Sequence, residues 1–157
     1  MRTVKLKRET RETKINLSLD LDGTGKSNID TGIGFFDHML EQLCYNSMIN
    51  LNLEATGDLE IDFHHTVEDC GICIGEAFNQ ALGDKKGISR YGFCILPMDD
   101  ALIRVALDFS GRSFFSWKVI FPNSKIGVFD TELAREFLQA FSSNSKTTLH
   151  VEKLDGF

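Results

Sequence analysis

The feature that most constrains the fold is an internal repeat. Residues 12–23 align with residues 100–111 at a shift of 88, and both segments alternate apolar and polar side chains before a glycine. Such alternation predicts half-buried strands that end in turns. A second pair, Gly34–Leu40 and Gly127–Leu133, aligns at a shift of 93, and each member opens a helical apolar pattern. The chain is therefore predicted to contain two copies of one strand–helix unit, although two unrelated amphipathic strand–helix pairs would give a similar pattern.

The repeat predicts two half-domains, at 1–92 and 93–157. Apolar residues at three- and four-residue spacing form one stripe on each repeated helix, namely Phe36, Leu40 and Leu43 on the first and Leu133, Phe137 and Phe141 on the second. A different face of the first helix presents His38, Gln42 and Tyr45, which are available to a site. Further strands are predicted at 51–54 and 59–63 in the first half and at 147–151 and 153–157 in the second.

A second helix in the first half is predicted to run to about Leu82, with Gly83 as its C-cap. By the repeat, the matching helix of the second half should begin just past Phe157. The second half is therefore predicted to lack its last helix.

The start of this second helix carries the most chemical information. His64 and His65 are followed by Glu68, three and four positions on, so Glu68 is predicted to lie angularly between the two imidazoles. Two ring nitrogens and a carboxylate suit one or two divalent ions such as Mn, Fe or Zn. A metal site is therefore the favoured interpretation, and a structural polar cluster is the alternative. The chain has only two further histidines, His38 and His150.

Composition excludes several classes of protein. The net charge of −6 argues against nucleic-acid binding, and no basic run opposes that conclusion. No apolar run approaches the roughly 20 residues that span a membrane. The basic N-terminus has no apolar segment behind it, so no secretory signal is predicted. The expectation is a soluble cytoplasmic protein.

Four cysteines could suggest redox or zinc chemistry, since Cys70 and Cys73 form a C-x-x-C motif. The motif falls inside a helical apolar pattern with members Val67, Cys70, Ile74, Ala77 and Ala81. Buried free cysteine behaves as a small hydrophobic residue. Packing is therefore predicted for Cys70 and Cys73, and a redox module is the less favoured reading.

Several longer stretches resemble one family. They are Thr31–Leu40, His64–Asp69, Leu96–Leu102, Asp108–Arg112 and Thr148–His150. In these stretches, and from about Arg2 to Gly156, the chain resembles imidazoleglycerol-phosphate dehydratase, an enzyme family of histidine biosynthesis. The resemblance implies an α+β fold of two duplicated half-domains, each a four-stranded sheet backed by two helices (ribosomal protein S5 domain 2-like). It also implies a homo-oligomer built from trimers, with sites between subunits.

The resemblance further implies a metal-dependent hydro-lyase that converts imidazole glycerol phosphate to imidazole acetol phosphate. Two Mn²⁺ ions per site are expected, although other divalent ions also suit imidazole ligands. The matching metal ligands are His38, His64, His65, Glu68 and His150. The matching catalytic carboxylates are Glu12 and Glu68. The expected substrate-binding residues are Glu12, His38, Gln42, His64, His65, Glu68, Arg90 and Arg112, of which the two arginines match phosphate ligands.

The chain departs from the family pattern in three places. Asp100 stands where glutamate is usual and Phe63 where aspartate is usual, and neither change is expected to abolish activity. The family also carries a second His-His-x-x-Glu motif shortly after the position of Phe157, followed by a helix. Without that motif each metal would lose roughly half of its protein ligands. The expectation is that these 157 residues are a fragment, or are inactive and poorly assembled.

Two other functions remain open at this point. A metal-dependent hydrolase could use His64, His65 and Glu68 around a zinc-bound water, but zinc proteases of the H-E-x-x-H type space their ligands differently. A non-catalytic metal-binding or assembly subunit would take up metal and form oligomers without turnover. Assays with hydrolase substrates distinguish the hydrolase from the dehydratase. A measurement of turnover distinguishes an enzyme from the non-catalytic subunit.

Overall fold

The computed structural model describes residues 1–156. Its first half contains β1 (Thr3–Glu9), β2 (Thr13–Asp20), β3 (Ser27–Asp30), α1 (Gly34–Ser47), β4 (Asn50–Gly57) and α2 (His64–Leu82). The four strands form one sheet in the order β1-β2-β4-β3, in which β3 runs parallel to β4 and the other pairs are antiparallel. Alternate residues of β2 and β4 point inward, as their apolar alternation predicts.

The second half repeats this plan. It contains β5 (Tyr91–Met98), β6 (Ala101–Asp108), β7 (Phe114–Lys118), β8 (Lys125–Ile126), β9 (Phe129–Asp130), α3 (Leu133–Ser145) and β10 (Thr148–Asp155). Its sheet has the order β5-β6-β10-β7, with β7 parallel to β10, and β8 pairs with β9 as a separate two-stranded ribbon. The architecture is thus α+β, with two four-stranded sheets of equivalent topology, as predicted. Within residues 1–156, α3 is the one helix of the second half.

The duplication extends to the strand register. Leu17 of β2 pairs with Leu53 of β4, and the equivalent Val105 of β6 pairs with Val151 of β10. The predicted shift of 88 therefore holds for β2 and β6, whereas β4 and β10 are related by a shift of 98. The predicted helix alignment at a shift of 93 is wrong, because the β8–β9 ribbon occupies residues 125–130 and α3 begins at Leu133.

Two predicted strands also differ from the structure. Residues 59–63 form a turn in which the Ile61 backbone N–H donates to the Asp58 carbonyl at 2.9 Å, although their apolar alternation resembles a strand. Both sides of β4 already pair with β2 and β3, so no neighbouring backbone is available there for this segment. In the second half, residues 148–155 of the two predicted segments form the single strand β10, with a register shift between Lys153 and Asp155. Phe157 lies outside the described residues.

The main core lies between the first sheet and its two helices. The predicted stripe of α2 is buried at four of its five positions, namely Val67, Cys70, Ile74 and Ala77, each at most 1% exposed. Gly83 follows α2 as predicted, and its N–H donates to the Gln80 carbonyl. On α1, Leu40 is buried but Leu43 is 42% exposed, so the predicted stripe of that helix is narrower in the structure.

Strand β5 begins at Tyr91, so the predicted boundary between residues 92 and 93 falls just inside it. That boundary stays a prediction. In residues 1–156, no helix combines the length and apolar character that crossing a bilayer requires.

Helices α2 and α3 pack closely through two glycines of α2. A Cβ atom on Gly75 would lie 2.7 Å from the Phe141 carbonyl oxygen and 3.0 Å from the Ser145 backbone nitrogen. Gly71 meets the Phe137 carbonyl in the same way, also at 2.7 Å. Because these obstacles are backbone atoms, a larger side chain requires α3 to move.

Gly75→Ala is therefore expected to lower the free energy of unfolding by about 1–3 kcal/mol, despite the better helix propensity of alanine. Urea denaturation measures this change. Gly34→Ala is the control, because Gly34 lies on α1 with no atom within 4 Å of an added Cβ. Equal stability of the two variants would contradict the close packing of the helices.

Candidate active site

The first turn of α2 carries the predicted histidine–glutamate group. Asp62 accepts a hydrogen bond from the His64 backbone N–H at 2.8 Å, which satisfies one of the free donors at the helix start. One turn further along, the Glu68 Oε2 lies 3.4 Å from the His64 Nε2. Both side chains are more than 40% exposed, at 42% and 45%. A nitrogen and an oxygen donor therefore face solvent together.

His65 turns away from this pair. Its Nδ1 lies 2.8 Å from the Asp58 Oδ2, and its ring is tilted 79° from that of His64. The hydrogen bond to Asp58 raises the pKa of His65, and the charges of Asp58, Glu12 and Asp62 act in the same direction. The structure thus differs from the predicted arrangement, in which Glu68 lies between both imidazoles. Glu68 contacts His64, whereas Asp58 holds His65.

Glu12 lies in the turn between β1 and β2, and a polar network joins this turn to α2. Thr13 donates from Oγ1 to one carboxylate oxygen of Asp69, and Arg8 contacts the other oxygen at 3.1 Å. The charge of Glu12 raises the pKa of His65, so the two side chains are electrostatically coupled. The structure therefore brings Glu12 to the same end of the first sheet as the start of α2.

Helix α1 presents His38 and Gln42 to solvent, on the face that the sequence predicted. The side chain of His38 is 59% exposed, and its Nδ1 lies 4.0 Å from Glu41. The turns that precede α1 and α2 approach each other, because a Cβ on Gly32 would lie 2.7 Å from the Leu59 side chain. The two helices therefore start at neighbouring points of the fold.

Of the remaining predicted residues, His150 lies on the outer face of the second sheet, and Arg90 and Arg112 lie in the segments before β5 and after β6. His150 pairs with Ala106 across the strands, and Asp108 is two residues further along β6, so both side chains share that face. Arg90 donates two hydrogen bonds to Asp108, at 2.6 and 2.9 Å. This pair, together with the nearby charge of Arg112, lowers the pKa of Asp108. One predicted phosphate ligand, Arg90, therefore pairs with a carboxylate on the face that carries His150, and the charge of the other, Arg112, acts on the same carboxylate.

These groups do not form a complete metal centre within the described chain. In residues 1–156, no three His, Cys, Asp or Glu side chains are placed to hold one metal ion. Glu12, His64, His65 and Glu68 lie around the start of α2, whereas His150 and the two arginines belong to the second half of the chain, His150 on β10 and the arginines beside β5 and β6.

The start of α2 nevertheless suits a divalent cation. Histidines that bind metals commonly donate their other ring N–H to a carboxylate, as His65 can to Asp58. The exposed His64–Glu68 pair adds a second imidazole and an anionic oxygen. Imidazole and carboxylate donors together suit Mn²⁺, Fe²⁺ or Zn²⁺. The residues present therefore fit the expected type of cofactor.

The cysteines lie apart from this chemistry. All four are free, and Cys44, Cys70 and Cys73 are buried. Burial is the main cause that raises the pKa of the Cys70 thiol, and it raises the pKa of Cys73 to about 12. Since the thiolate is the nucleophile and the metal ligand, both cysteines are inert at neutral pH. The predicted packing role of the C-x-x-C motif is confirmed by this burial.

Changing Cys70 and Cys73 together to Ala is expected to leave metal binding intact and to cost about 1–2 kcal/mol of stability through lost packing. Native protein should react with a thiol reagent at neither position, and unfolded protein at both. Isothermal titration with Mn²⁺ provides the second measurement. Metal binding lost in a variant that still folds would contradict the packing role.

The chain was compared with known protein families, sequences and structures. The family model described as imidazoleglycerol-phosphate dehydratase matches residues 31–157. The enzyme of this name from Paracoccus denitrificans is 60% identical over 156 residues, which cover 99% of this chain and 80% of that protein. The one from Ruegeria pomeroyi is 57% identical, with the same coverage.

Two solved structures extend this similarity to the fold. The imidazoleglycerol-phosphate dehydratase of Staphylococcus aureus superimposes with a TM-score of 0.88 at 38% identity, over 99% of this chain and 85% of that one. The enzyme from Pyrococcus furiosus gives a TM-score of 0.81 at 30% identity, over 96% and 80% of the two chains. Sequence, family model and fold agree, and the chain belongs to the imidazoleglycerol-phosphate dehydratase family, the hydro-lyases of histidine biosynthesis.

Proposed function

We propose that this chain catalyses the metal-dependent dehydration of imidazole glycerol phosphate to imidazole acetol phosphate in the cytoplasm. The observation that carries the proposal is the first turn of α2. It exposes the His64–Glu68 pair, and it holds His65 on a carboxylate so that the second ring nitrogen can bind a ligand. Family membership indicates the reaction, and the side chains at the start of α2 offer donor atoms that can bind the metal cofactor.

The proposed cofactor is Mn²⁺, with two ions per site. The proposed ligands are His38, His64, His65, Glu68 and His150. When bound, the metal supplies a Lewis acid and a template, which favours the anionic form of the substrate imidazole. This help matters because no carbonyl group acidifies the carbon–hydrogen bond that must break.

The chain's own residues supply proton transfer and orientation. Glu12 is exposed beside the start of α2, the Glu68 side chain is 45% exposed in its first turns, and either carboxylate can take part in moving the proton that leaves carbon. Arg90 pairs with Asp108, the charge of Arg112 acts on the same carboxylate, and both guanidinium groups suit the phosphate of the substrate. Gln42 shares an exposed face of α1 with His38 and can hydrogen-bond a substrate hydroxyl. Loss of that proton and of one hydroxide as water gives an enol, and transfer of the enol proton to carbon then gives the ketone of imidazole acetol phosphate.

The proposed enzyme is a homo-oligomer built from trimers, with active sites between subunits. Two observations support this assembly. No three ligands converge within residues 1–156, and His150 lies on the second sheet, whereas His64 and His65 lie on α2, which packs against the first sheet. A second copy can place its second sheet against the start of α2, which would unite the two groups.

The exposed His64–Glu68 pair, which lies on α2 while His150 lies on the second sheet, also favours a second candidate, a metal-binding subunit without turnover. One experiment separates the two. Metal-free protein is loaded with Mn²⁺, its metal content is measured, and product formation from imidazole glycerol phosphate is followed before and after chelation. Turnover that chelation abolishes supports the dehydratase, whereas bound metal without product supports the non-catalytic subunit.

A further inference from the structure

We propose that Asp58 is a positioning residue that fixes the tautomer of His65. In this arrangement the Nδ1 of His65 carries the proton, and the lone pair of Nε2 points toward the ligand. The metal-binding consequence rests on the proposed function, whereas the tautomer itself can be measured without any metal. Neither the repeat nor the family motifs assign Asp58 a role.

The environment of Asp58 suits it to a single partner. Its side chain is 14% exposed, and Oδ2 lies 2.8 Å from the His65 Nδ1. Its other oxygen, Oδ1, is buried and has no hydrogen-bond partner among the described residues. A mostly buried carboxylate is costly unless another group pairs with it. Within residues 1–156, the imidazole of His65 is the one side chain that hydrogen-bonds to it.

The backbone holds Asp58 in this place. Asp58 follows Gly57, the last residue of β4, and its carbonyl accepts a hydrogen bond from the Ile61 N–H at 2.9 Å. The turn that starts here ends at the first turn of α2, which carries His65. The carboxylate is therefore attached to the end of a central strand, and its position does not depend on a flexible loop.

Hydrogen bonding to a carboxylate decides which ring nitrogen carries the proton. A neutral imidazole has one donor and one acceptor nitrogen, and an ionised carboxylate can only accept. The nitrogen that faces Asp58 must therefore be Nδ1–H, so Nε2 keeps its lone pair. A solvated histidine favours the opposite tautomer, in which the proton on Nε2 blocks that ligand.

A neighbouring aspartate offers a matched control. Asp62 also contributes negative charge near His65, but its carboxylate accepts its hydrogen bond from the His64 backbone. Asp62→Asn removes that charge and keeps an oxygen that can accept the same bond. Asp58→Asn removes a charge of equal size and replaces the acceptor-only partner of His65 by an amide, whose NH2 group can face the ring and donate to Nδ1. Comparison of the two variants therefore distinguishes an effect on the tautomer of His65 from the effect of losing one negative charge.

The test uses the complete chain with ¹⁵N-labelled histidine, free of metal, at alkaline pH. We expect the His65 Nδ1 to be protonated in the wild type and in Asp62→Asn, and the proton to shift toward Nε2 in Asp58→Asn. The affinity for Mn²⁺, measured by isothermal titration, should fall about 10–100-fold in Asp58→Asn and change less than about threefold in Asp62→Asn. Partial recovery of affinity in Asp58→Glu would support the positioning role.

A wild-type protein that carries the His65 proton on Nε2 would overturn the proposal, whether or not any variant folds. Equal Mn²⁺ affinity in Asp58→Asn and Asp62→Asn would overturn it too. A wild-type protein that binds no Mn²⁺ but shows the expected tautomer would contradict the proposed function and leave the role of Asp58 supported. The two failures are therefore distinguishable.

Discussion

Glu68→Gln is expected to lower dehydratase turnover by about 10²–10⁴-fold, the range for loss of a group that takes part in proton transfer. Glutamine keeps the size and one oxygen of the side chain but removes the negative charge. The His64 Nε2, 3.4 Å from the Glu68 Oε2, then loses its anionic neighbour. Affinity for Mn²⁺ should fall in parallel, because a neutral amide is a weaker ligand for a hard cation.

The control is Glu60→Gln, an exposed residue of the turn before α2. It removes the same charge from the same region and should leave turnover within about twofold, as surface changes away from a site usually do. Steady-state kinetics with Mn²⁺ at saturation, and metal analysis of both variants, give the comparison. If Glu68→Gln kept more than a tenth of the wild-type turnover, its assignment as ligand and proton-transfer group would be wrong.

Arg90→Ala is expected to raise the KM for imidazole glycerol phosphate by about 10–100-fold, which corresponds to one or two lost charge-assisted hydrogen bonds. The kcat should change less, because the phosphate is remote from the carbon that reacts. Inhibition by inorganic phosphate should weaken by a similar factor. Arg112→Ala is expected to act in the same direction, since its charge acts on the same carboxylate, Asp108.

Arg104→Ala provides the matched control for this prediction. Arg104 lies on the same strand as Asp108 and forms its own ion pair with Glu152 of β10. Its loss removes one positive charge and one ion pair from the same sheet, as loss of Arg90 does. Comparable KM values in Arg90→Ala and Arg104→Ala would mean that Arg90 holds the sheet and not the phosphate.

The sequence predicts the strands and helices well where local pattern and tertiary environment agree. The alternating segments around Leu17 and Val105 are strands of equivalent register, and the apolar stripe of α2 lies in the core. Residues 59–63 show the limit of this reasoning. They alternate like a strand, but β4 has a partner on each side, and this property of the whole sheet is not encoded in the segment itself.

The candidate site, like the fold, is predicted from the sequence only in part. Helical spacing correctly predicts that His64 and Glu68 come together, because both lie on one helix. It does not predict the partner of His65, because Asp58 lies just before residues 59–63, which the sequence predicts as a strand and the structure shows as a turn. Gly57 and Asp58 are both residue types common in turns, and they could have indicated this position. In the proposed assembly a second copy brings His150 to the start of α2, and the pattern along one chain does not describe such packing.

The most direct test of the central claim is subunit complementation. Glu68→Gln chains and His150→Ala chains, each nearly inactive alone, are unfolded, mixed in equal amounts and refolded with Mn²⁺, with wild-type protein treated in parallel. If each active site combines Glu68 of one subunit with His150 of another, random mixing should restore about a quarter of the wild-type turnover. Mixed assemblies as inactive as their parents, beside an active wild type, would contradict a shared site. A wild-type assembly that binds Mn²⁺ and forms no product would contradict the proposed dehydration itself.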